Sequence, residues 1–356
     1  MIKTKASLAI VGTVGLPANY GGWETLVENI VTPLSEQLDV TVYCSRNRYK
    51  THLTSYKGAQ LDYIGLNANG IQSIFYDIVC LWRARSFDHV LILGTSGCIA
   101  LPLFRLISKA HYTLNIDGLE WRREKWSGAA KAFLRMSEYL GCRFAHQLVA
   151  DNAVIQTHIQ TAYNCKSALI AYGGDSPAME IIPDPEIPQE PYAFSVCRIE
   201  PENNLHMILE AYAGLPESRL VIIGNWKSSA FGLDLKKRYG ALKNITLLDP
   251  IYDRGKLDGY RAGCQLYLHG HSAGGTNPSL VEAMWLGLPI LAFDVNFNRE
   301  TTEDQALYFT SIQDLREKVE ELQGTNLSEL ANTMKGIADR RYTWANVARD
   351  YLALLG

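Results

Sequence analysis

A chain of 356 residues is long enough for two domains of ordinary size, and 47% hydrophobic with 20% charged residues fits a soluble globular enzyme. No apolar run reaches the roughly 18 residues of a spanning helix, and Ala6 to Val11 is too short for a signal peptide, so an integral membrane protein is not expected. The net charge of −3 speaks against nucleic acid as a partner but is uneven: residues 1–172 hold 17 Lys+Arg against 12 Asp+Glu, and the remainder holds 17 against 25.

The chain begins with a predicted strand, Leu8–Gly12, and a glycine-rich loop that runs to Glu24. In that loop Gly21-Gly22 lets backbone approach a ligand at the start of a helix predicted over Thr25–Gln37. A dinucleotide-binding loop is the rival, and the glycine spacing excludes it. Strands follow at Val40–Cys44, Val90–Leu93, Tyr112–Ile116, Gln147–Ala150 and Ala168–Ala171. Helices are expected near Ile71–Arg85, Ala129–Cys142 and Ala153–Tyr163, the last with Asp151 and Asn152 as ordinary caps. This beta-alpha rhythm predicts a parallel sheet covered on both faces.

At the end of the strand over 112–116, Asp117 and Glu120 are carboxylates on a loop. They could orient an acceptor hydroxyl or act as a base, and Glu120 could instead pair with Arg122 or Arg123. The segment Trp121-Arg-Arg-Glu-Lys-Trp126, with Lys131, Arg135 and Arg143, concentrates positive charge. It reads either as a solvated helix face or as a surface that meets anionic lipid or a diphosphate-linked acceptor; the interleaved tryptophans favour the second. Five prolines between 177 and 191 mark a linker.

A second beta-alpha series has strands at Ala193–Val196, Leu220–Ile223, Ile245–Leu247, Gln265–Leu268 and Ile290–Ala292. Arg198, just beyond the first of these, can bind two phosphate oxygens at once. Lys227, after the second, offers another cation. After the fourth comes His269-Gly-His-Ser-Ala-Gly-Gly-Thr-Asn-Pro278. Gly274, Gly275, Thr276 and Asn277 form a turn into a helix that starts at Pro278, so backbone N–H groups offer a seat for phosphate, and Glu282 follows on the first turns. His269 and His271 read as hydrogen-bonding groups, not zinc ligands, and no Asp-x-Asp pair calls for a divalent metal. Seven cysteines without paired spacing read as thiols in a reducing cytoplasm.

The stretch ending Gly274-Gly-Thr-Asn-Pro-Ser-Leu-Val-Glu282-Ala-Met resembles the C-terminal signature of the retaining glycosyltransferases of family 4, which have the GT-B fold. That signature has two glutamates separated by seven residues. Glu282 matches the second, and Gly274 stands where the first is expected. Gly21-Gly-Trp-Glu24 and Arg198-Ile-Glu-Pro-Glu202 are similar to two further family motifs, with Asn203 in place of a lysine. The variant turn and Asp117-Gly-Leu-Glu-Trp121 are similar to a bacterial subgroup of polysaccharide rhamnosyltransferases.

The resemblance implies an α/β, GT-B fold, with two Rossmann-like domains whose parallel sheets face across a cleft. The expected division is an acceptor domain over 1–175, closed by a C-terminal helix over 343–356, and a nucleotide-sugar domain over 176–342. Donor contacts are expected from Gly21, Gly22, Gly274, Gly275, Thr276, Asn277, Glu282 and His271. Acceptor contacts are expected from Glu24, Glu120 and Trp121, and the chemistry from Arg198, Lys227 and Asp117. The implied donor is a dTDP- or UDP-sugar, most simply dTDP-L-rhamnose, with no metal and no other cofactor. The implied acceptor is a polyprenyl-diphosphate-linked glycan, reached by a cytoplasmic protein peripheral to the anionic inner face of the plasma membrane. A UDP-hexose or UDP-N-acetylhexosamine transferase, a sugar epimerase and a non-catalytic polysaccharide-binding protein are the alternatives.

Overall fold

From Leu8 onward β1 (Ser7–Val11) is entirely buried, the mark of a parallel strand covered on both faces. The computed structural model describes residues 5–19, 21–116, 118–123, 126–175 and 184–355. The chain divides into two units, Met1–Tyr172 with Trp344–Gly356, and Gly173–Thr343.

In the first unit β1 leads to α1 (Gly22–Gln37), β2 (Asp39–Ser45), β3 (Ser55–Tyr56), β4 (Ala59–Ile64) and α2 (Gln72–Arg83). Then come β5 (His89–Leu93), α3 (Leu101–Ile107), β6 (His111–Asn115), α4 (Gly128–Phe144), β7 (Gln147–Ala150), α5 (Ala153–Tyr163) and β8 (Ala168–Leu169). The sheet order is β3-β4-β2-β1-β5-β6-β7-β8. The β3–β4 pair is antiparallel and the other pairings are parallel. Lys57 and Gly58, both at positive φ, make the two-residue hairpin turn between β3 and β4.

The second unit runs β9 (Tyr192–Val196), α6 (Leu205–Ala213), β10 (Arg219–Ile223), α7 (Ala230–Tyr239), β11 (Ile245–Leu248), α8 (Arg254–Ala262) and β12 (Leu266–His269). It continues through α9 (Pro278–Trp285), β13 (Ile290–Phe293), α10 (Asn296–Thr301), β14 (Leu307–Phe309), α11 (Ile312–Glu321) and α12 (Ser328–Arg341). Its six strands, in order β11-β10-β9-β12-β13-β14, are all parallel. The direction of chain progress reverses at β9, so β9 and β12 flank a switch point, where ligands of such sheets bind.

The chain then returns to the first unit as α13 (Trp344–Leu355). This helix buries Val347, Ala348, Tyr351 and Leu355 and packs against α1. Asn115, at the end of β6, donates to the Tyr351 hydroxyl at 2.8 Å. Part of the proline-rich stretch, 176–183, lies outside the described residues; 184–191 holds turns and bends. All seven cysteines are free thiols, five of them buried.

Candidate active site

At the switch point of the second unit, hydrogen bonds clip two strand-end loops together. The loop after β9 carries Arg198, which is exposed, and a single tight turn over Pro201–Asn203. Asn203 is buried; its amide donates to the Arg198 carbonyl at 2.7 Å, and its Oδ1 meets His271 Nδ1 at 2.7 Å. Ser272 donates from both N and Oγ to the Glu202 carbonyl at 2.9 Å. Asn204 donates to the Gly270 carbonyl at 2.9 Å. A Cβ on Gly270 would overlap the Asn203 carbonyl, so this close approach requires glycine. Asn203, in the position that resemblance assigns to a lysine, therefore joins the Arg198 loop to the His271 loop.

Gly274 has φ +104°, a conformation that disfavours any side chain. Space itself is not short there, since a Cβ would meet only His271 Nε2 at 3.4 Å. Thr276 is buried, and Asn277 caps α9, its Oδ1 accepting from Ser279 N at 3.0 Å and Ser279 Oγ at 2.9 Å. Pro278 then occupies the first helical position, where its missing N–H costs nothing. Leu280, Val281, Ala283 and Met284 bury the inner side of α9 and so fix the direction of its N-terminus.

Glu282 is held by two arginines from α8 that sequence reasoning did not identify. Arg254 Nη2 donates to its Oε1 at 3.1 Å, and Arg261 Nη2 donates to its Oε2 in a short contact. Arg261 is almost wholly buried and also donates to Asp258 Oδ1 at 2.9 Å. Burial opposes the charge of Arg261, yet Glu282 and Asp258 hold its pKa above the ordinary arginine value. The fork of guanidinium groups fixes the Glu282 rotamer. Each carboxylate oxygen keeps a further lone pair with which to accept a ligand hydroxyl.

Lys227 is largely exposed and pairs loosely with Asp249 at 3.3 Å. Hydrogen bonds from Lys236 and Lys227 lower the Asp249 pKa. Such an exposed pair is worth little, so Lys227 can exchange Asp249 for a phosphate. Its turn is anchored by Trp226, fully buried, whose Nε1 donates to the Leu248 carbonyl at 2.8 Å. His269, at the end of β12, is buried; burial and then His271 keep its pKa well below the ordinary value, so it is neutral. Among the described residues no group of three or more His, Cys, Asp or Glu side chains is arranged to hold a metal.

In the first unit Glu24 is buried on the first turn of α1. Its Oε1 accepts from Thr13 Oγ1 at 2.9 Å and Val14 N at 2.6 Å. Gly21 and Gly22 begin the helix here, and it is the Glu24 carboxylate that makes the close approach to Gly21. Glu120 accepts from Arg123 Nη1 at 3.1 Å and from Trp126 Nε1 at 3.1 Å. Trp121 Nε1 donates to the buried Glu138 at 3.0 Å, and the Arg122 and Arg135 guanidinium groups lie over its ring at 5.1 and 5.2 Å from the centroid. Glu138 also takes His158 Nε2 at 2.9 Å and the Tyr163 hydroxyl at 2.6 Å. Asp117 lies outside the described residues.

Comparison with solved structures supports the fold. A sucrose-phosphate synthase from Thermosynechococcus elongatus superposes with a TM-score of 0.82 at 12% identity, over 98% of each chain. HepE from Anabaena in complex with UDP-glucose gives 0.73 at 16% identity, over 98% of this chain and 99% of that one. A UDP-N-acetylglucosamine 2-epimerase from Listeria monocytogenes gives 0.66 at 14% identity, over 99% and 96%. No curated protein matches the sequence. Residues 5–175 match a domain of unknown function (DUF1972), and residues 179–339 match the family of glycosyl transferases group 1. The chain thus has the two Rossmann-like units of the GT-B fold, with a region that matches DUF1972 followed by one that matches glycosyl transferases group 1.

Proposed function

We propose that the protein is a retaining glycosyltransferase that moves L-rhamnose from dTDP-L-rhamnose to a polyprenyl-diphosphate-linked glycan. The observation that carries the reading is Glu282, held by Arg254 and Arg261 on the first turns of α9 in the group 1 domain. There it can accept from ribose hydroxyls while the Gly274–Asn277 turn and Arg198 meet the diphosphate.

The bond between the anomeric carbon and the diphosphate oxygen breaks, and the acceptor oxygen bonds to the same face of the sugar. The acceptor proton passes to the departing phosphate. Negative charge grows on the diphosphate as this happens. Arg198, Lys227 and backbone amides at the start of α9 stabilise it, which is work that a metal does in other transferases. Asn203 and His271 keep the Arg198 loop in place. In the first unit Asp117, Glu120 and Trp121 hold the acceptor, with Glu24 fixing the loop that precedes α1. Gly274 leaves no carboxylate beside the sugar, which suits a 6-deoxy sugar.

No helix among the described residues is long and apolar enough to cross a membrane. The protein works in the cytoplasm, peripheral to the anionic inner face of the plasma membrane, where lipid-linked glycans are accessible. The UDP-glucose in the HepE complex favours a UDP-hexose donor as the second reading.

Incubation with dTDP-rhamnose, UDP-glucose and UDP-N-acetylglucosamine, without metal, separates these readings. Slow release of dTDP from dTDP-rhamnose is expected. Release of UDP alone would replace the donor, and conversion of the UDP-sugar to its 2-epimer would replace the reaction class. Consumption of none of them would leave a binding protein.

A further inference from the structure

Three neighbouring helices of the first unit turn an apolar and basic face to solvent. α2 joins β4 to β5, α3 joins β5 to β6, and α4 joins β6 to β7, each stepping the same way along a parallel sheet. Right-handed crossovers place all three on one face, with α1, which steps the other way, on the opposite face. α3 and α4 pack directly on each other.

The sheetward side of α2 is ordinary core, with Tyr76, Cys80 and Leu81 buried. Its outer side is not polar: Ile71, just before the helix, is 79% exposed, Phe75 60% and Trp82 52%. Their spacing of four and seven residues makes a single stripe. On α3, Leu106 is 84% exposed beside an exposed Ile107, and on α4 Met136 and Tyr139 continue the face. Solvent is a poor partner for so many large apolar side chains exposed on helices of one sheet face.

The exposed charges that the three helices themselves carry have one sign. Arg85 lies over the Trp82 ring at 4.5 Å, and Arg105, Lys109, Arg135 and Arg143 are all exposed. The only carboxylates on α2, α3 and α4 are Asp77 and Glu138, and both are buried. A second copy docked face to face would set arginine against arginine, and an uncharged protein would leave the arginines without a partner. An anionic bilayer surface satisfies both features: apolar side chains enter the interface and guanidinium groups meet headgroup phosphates.

We propose that the outer face of α2, α3 and α4 docks the protein on an anionic lipid bilayer. This deepens the reading of a lipid-linked acceptor and rests on it for its purpose. It keeps Arg135 and Arg143 of the basic surface expected from the sequence, but shifts the contact away from the Trp121–Trp126 segment, where Trp121 is bonded to Glu138 with two arginines over its ring, to three helix faces.

The test is co-sedimentation of the full chain with vesicles of phosphatidylglycerol and phosphatidylcholine, and of phosphatidylcholine alone. The wild-type protein should prefer the anionic vesicles by about tenfold or more, since each basic residue near such a surface is worth roughly fivefold. Phe75→Ser with Leu106→Ser should weaken binding by about tenfold or more, as should Arg105→Ala with Arg143→Ala. Leu233→Ser, at an exposed leucine on α7, should leave binding unchanged. Equal binding by wild type and Phe75→Ser/Leu106→Ser would overturn the proposal. So would a face that holds a dimer together without binding vesicles. Nucleotide-sugar hydrolysis in the absence of vesicles should be the same in wild type and variants. If no donor is hydrolysed, the transferase reading fails while the vesicle result still decides the surface.

Discussion

The Glu24 carboxylate fills the space where a side chain on Gly21 would begin. A Cβ on Gly21 would overlap Glu24 Oε2, and Gly21 holds φ +135° besides. The glycine lets the carboxylate fold back over the helix start to receive Thr13 Oγ1 and Val14 N. Glu24→Ala leaves the Val14 amide and the Thr13 hydroxyl without their acceptor in a buried site. The expected cost is about 1–3 kcal/mol of stability, and Glu24→Gln should cost less because its carbonyl still accepts. Urea titration of the three proteins checks both; equal midpoints would show that the loop is held by other contacts.

Arg198→Ala is expected to lower donor turnover by the equivalent of about 2–4 kcal/mol of transition-state stabilisation. Its thermal midpoint should be near normal because the side chain is exposed. In the parent, dTDP or UDP should raise the midpoint without added metal, as any ligand of the native state does. A rise that needs magnesium or manganese would remove the metal-free mechanism.

Arg261→Ala strands Glu282 and Asp258 beside a buried gap. Loss of one partner of a buried pair typically costs about 3–5 kcal/mol. Arg254→Ala should cost far less, since Arg254 is partly exposed. Thermal unfolding gives the ranking, and nucleotide titration of the Arg254 variant tests whether a less constrained Glu282 binds ribose more weakly.

Asp77 links α2 to the loop after β5, accepting from the Ser96 hydroxyl in a short contact. Burial raises its pKa from 3.8 to about 7, although Ser96 and the Gly97 amide donate to it. A carboxyl with a raised folded pKa favours folding at low pH. That contribution declines as pH rises from the unfolded value through the folded one, here from about 4 to about 7. Asp77→Asn should remove the dependence and gain on the parent by an amount on the order of a few kcal/mol between those limits, at roughly 1.4 kcal/mol per pKa unit. Unfolding free energies at both ends of the range check the sign; a difference that does not change with pH would mean that Asp77 is ionised throughout.

Gly274→Glu is expected to weaken use of dTDP-rhamnose more than binding of free dTDP, by crowding the sugar and placing a carboxylate near the diphosphate. Its φ of +104° adds a stability cost, on the order of 1–2 kcal/mol, for any side chain. Gly274→Ala carries that cost without the charge and so serves as the reference in the kinetics. Unchanged rhamnose transfer in both variants would place Gly274 away from the donor.

Strands with unbroken apolar runs were legible in the sequence to within a residue or two: the β7 bounds agree throughout, and the expected 90–93 became His89–Leu93. Elements built on other logic were not. The β3–β4 hairpin depends on positive φ at Lys57, a residue that does not announce a turn. α3 is an apolar seven-residue helix with no periodicity to read, and β14 spans three residues. In the candidate site, the Asn277 cap and the start of α9 at Pro278 could be read because turns and caps are local. Arg254 and Arg261 could not, since they lie 28 and 21 residues from Glu282 and meet it only through the fold. Asn203 looked like a missing lysine, while its role is to clamp two loops.

The return of α13 to α1 has a consequence for how the protein is made. On the ribosome the first unit emerges early but lacks the helix that covers α1, whereas the second unit is contiguous from Gly173 to Thr343. Order of completion therefore runs against order of synthesis: the later unit can close first, and the nascent first unit keeps an uncovered apolar seam until α13 has been translated. A nonsense change anywhere before Trp344 would injure the part of the molecule that was made first.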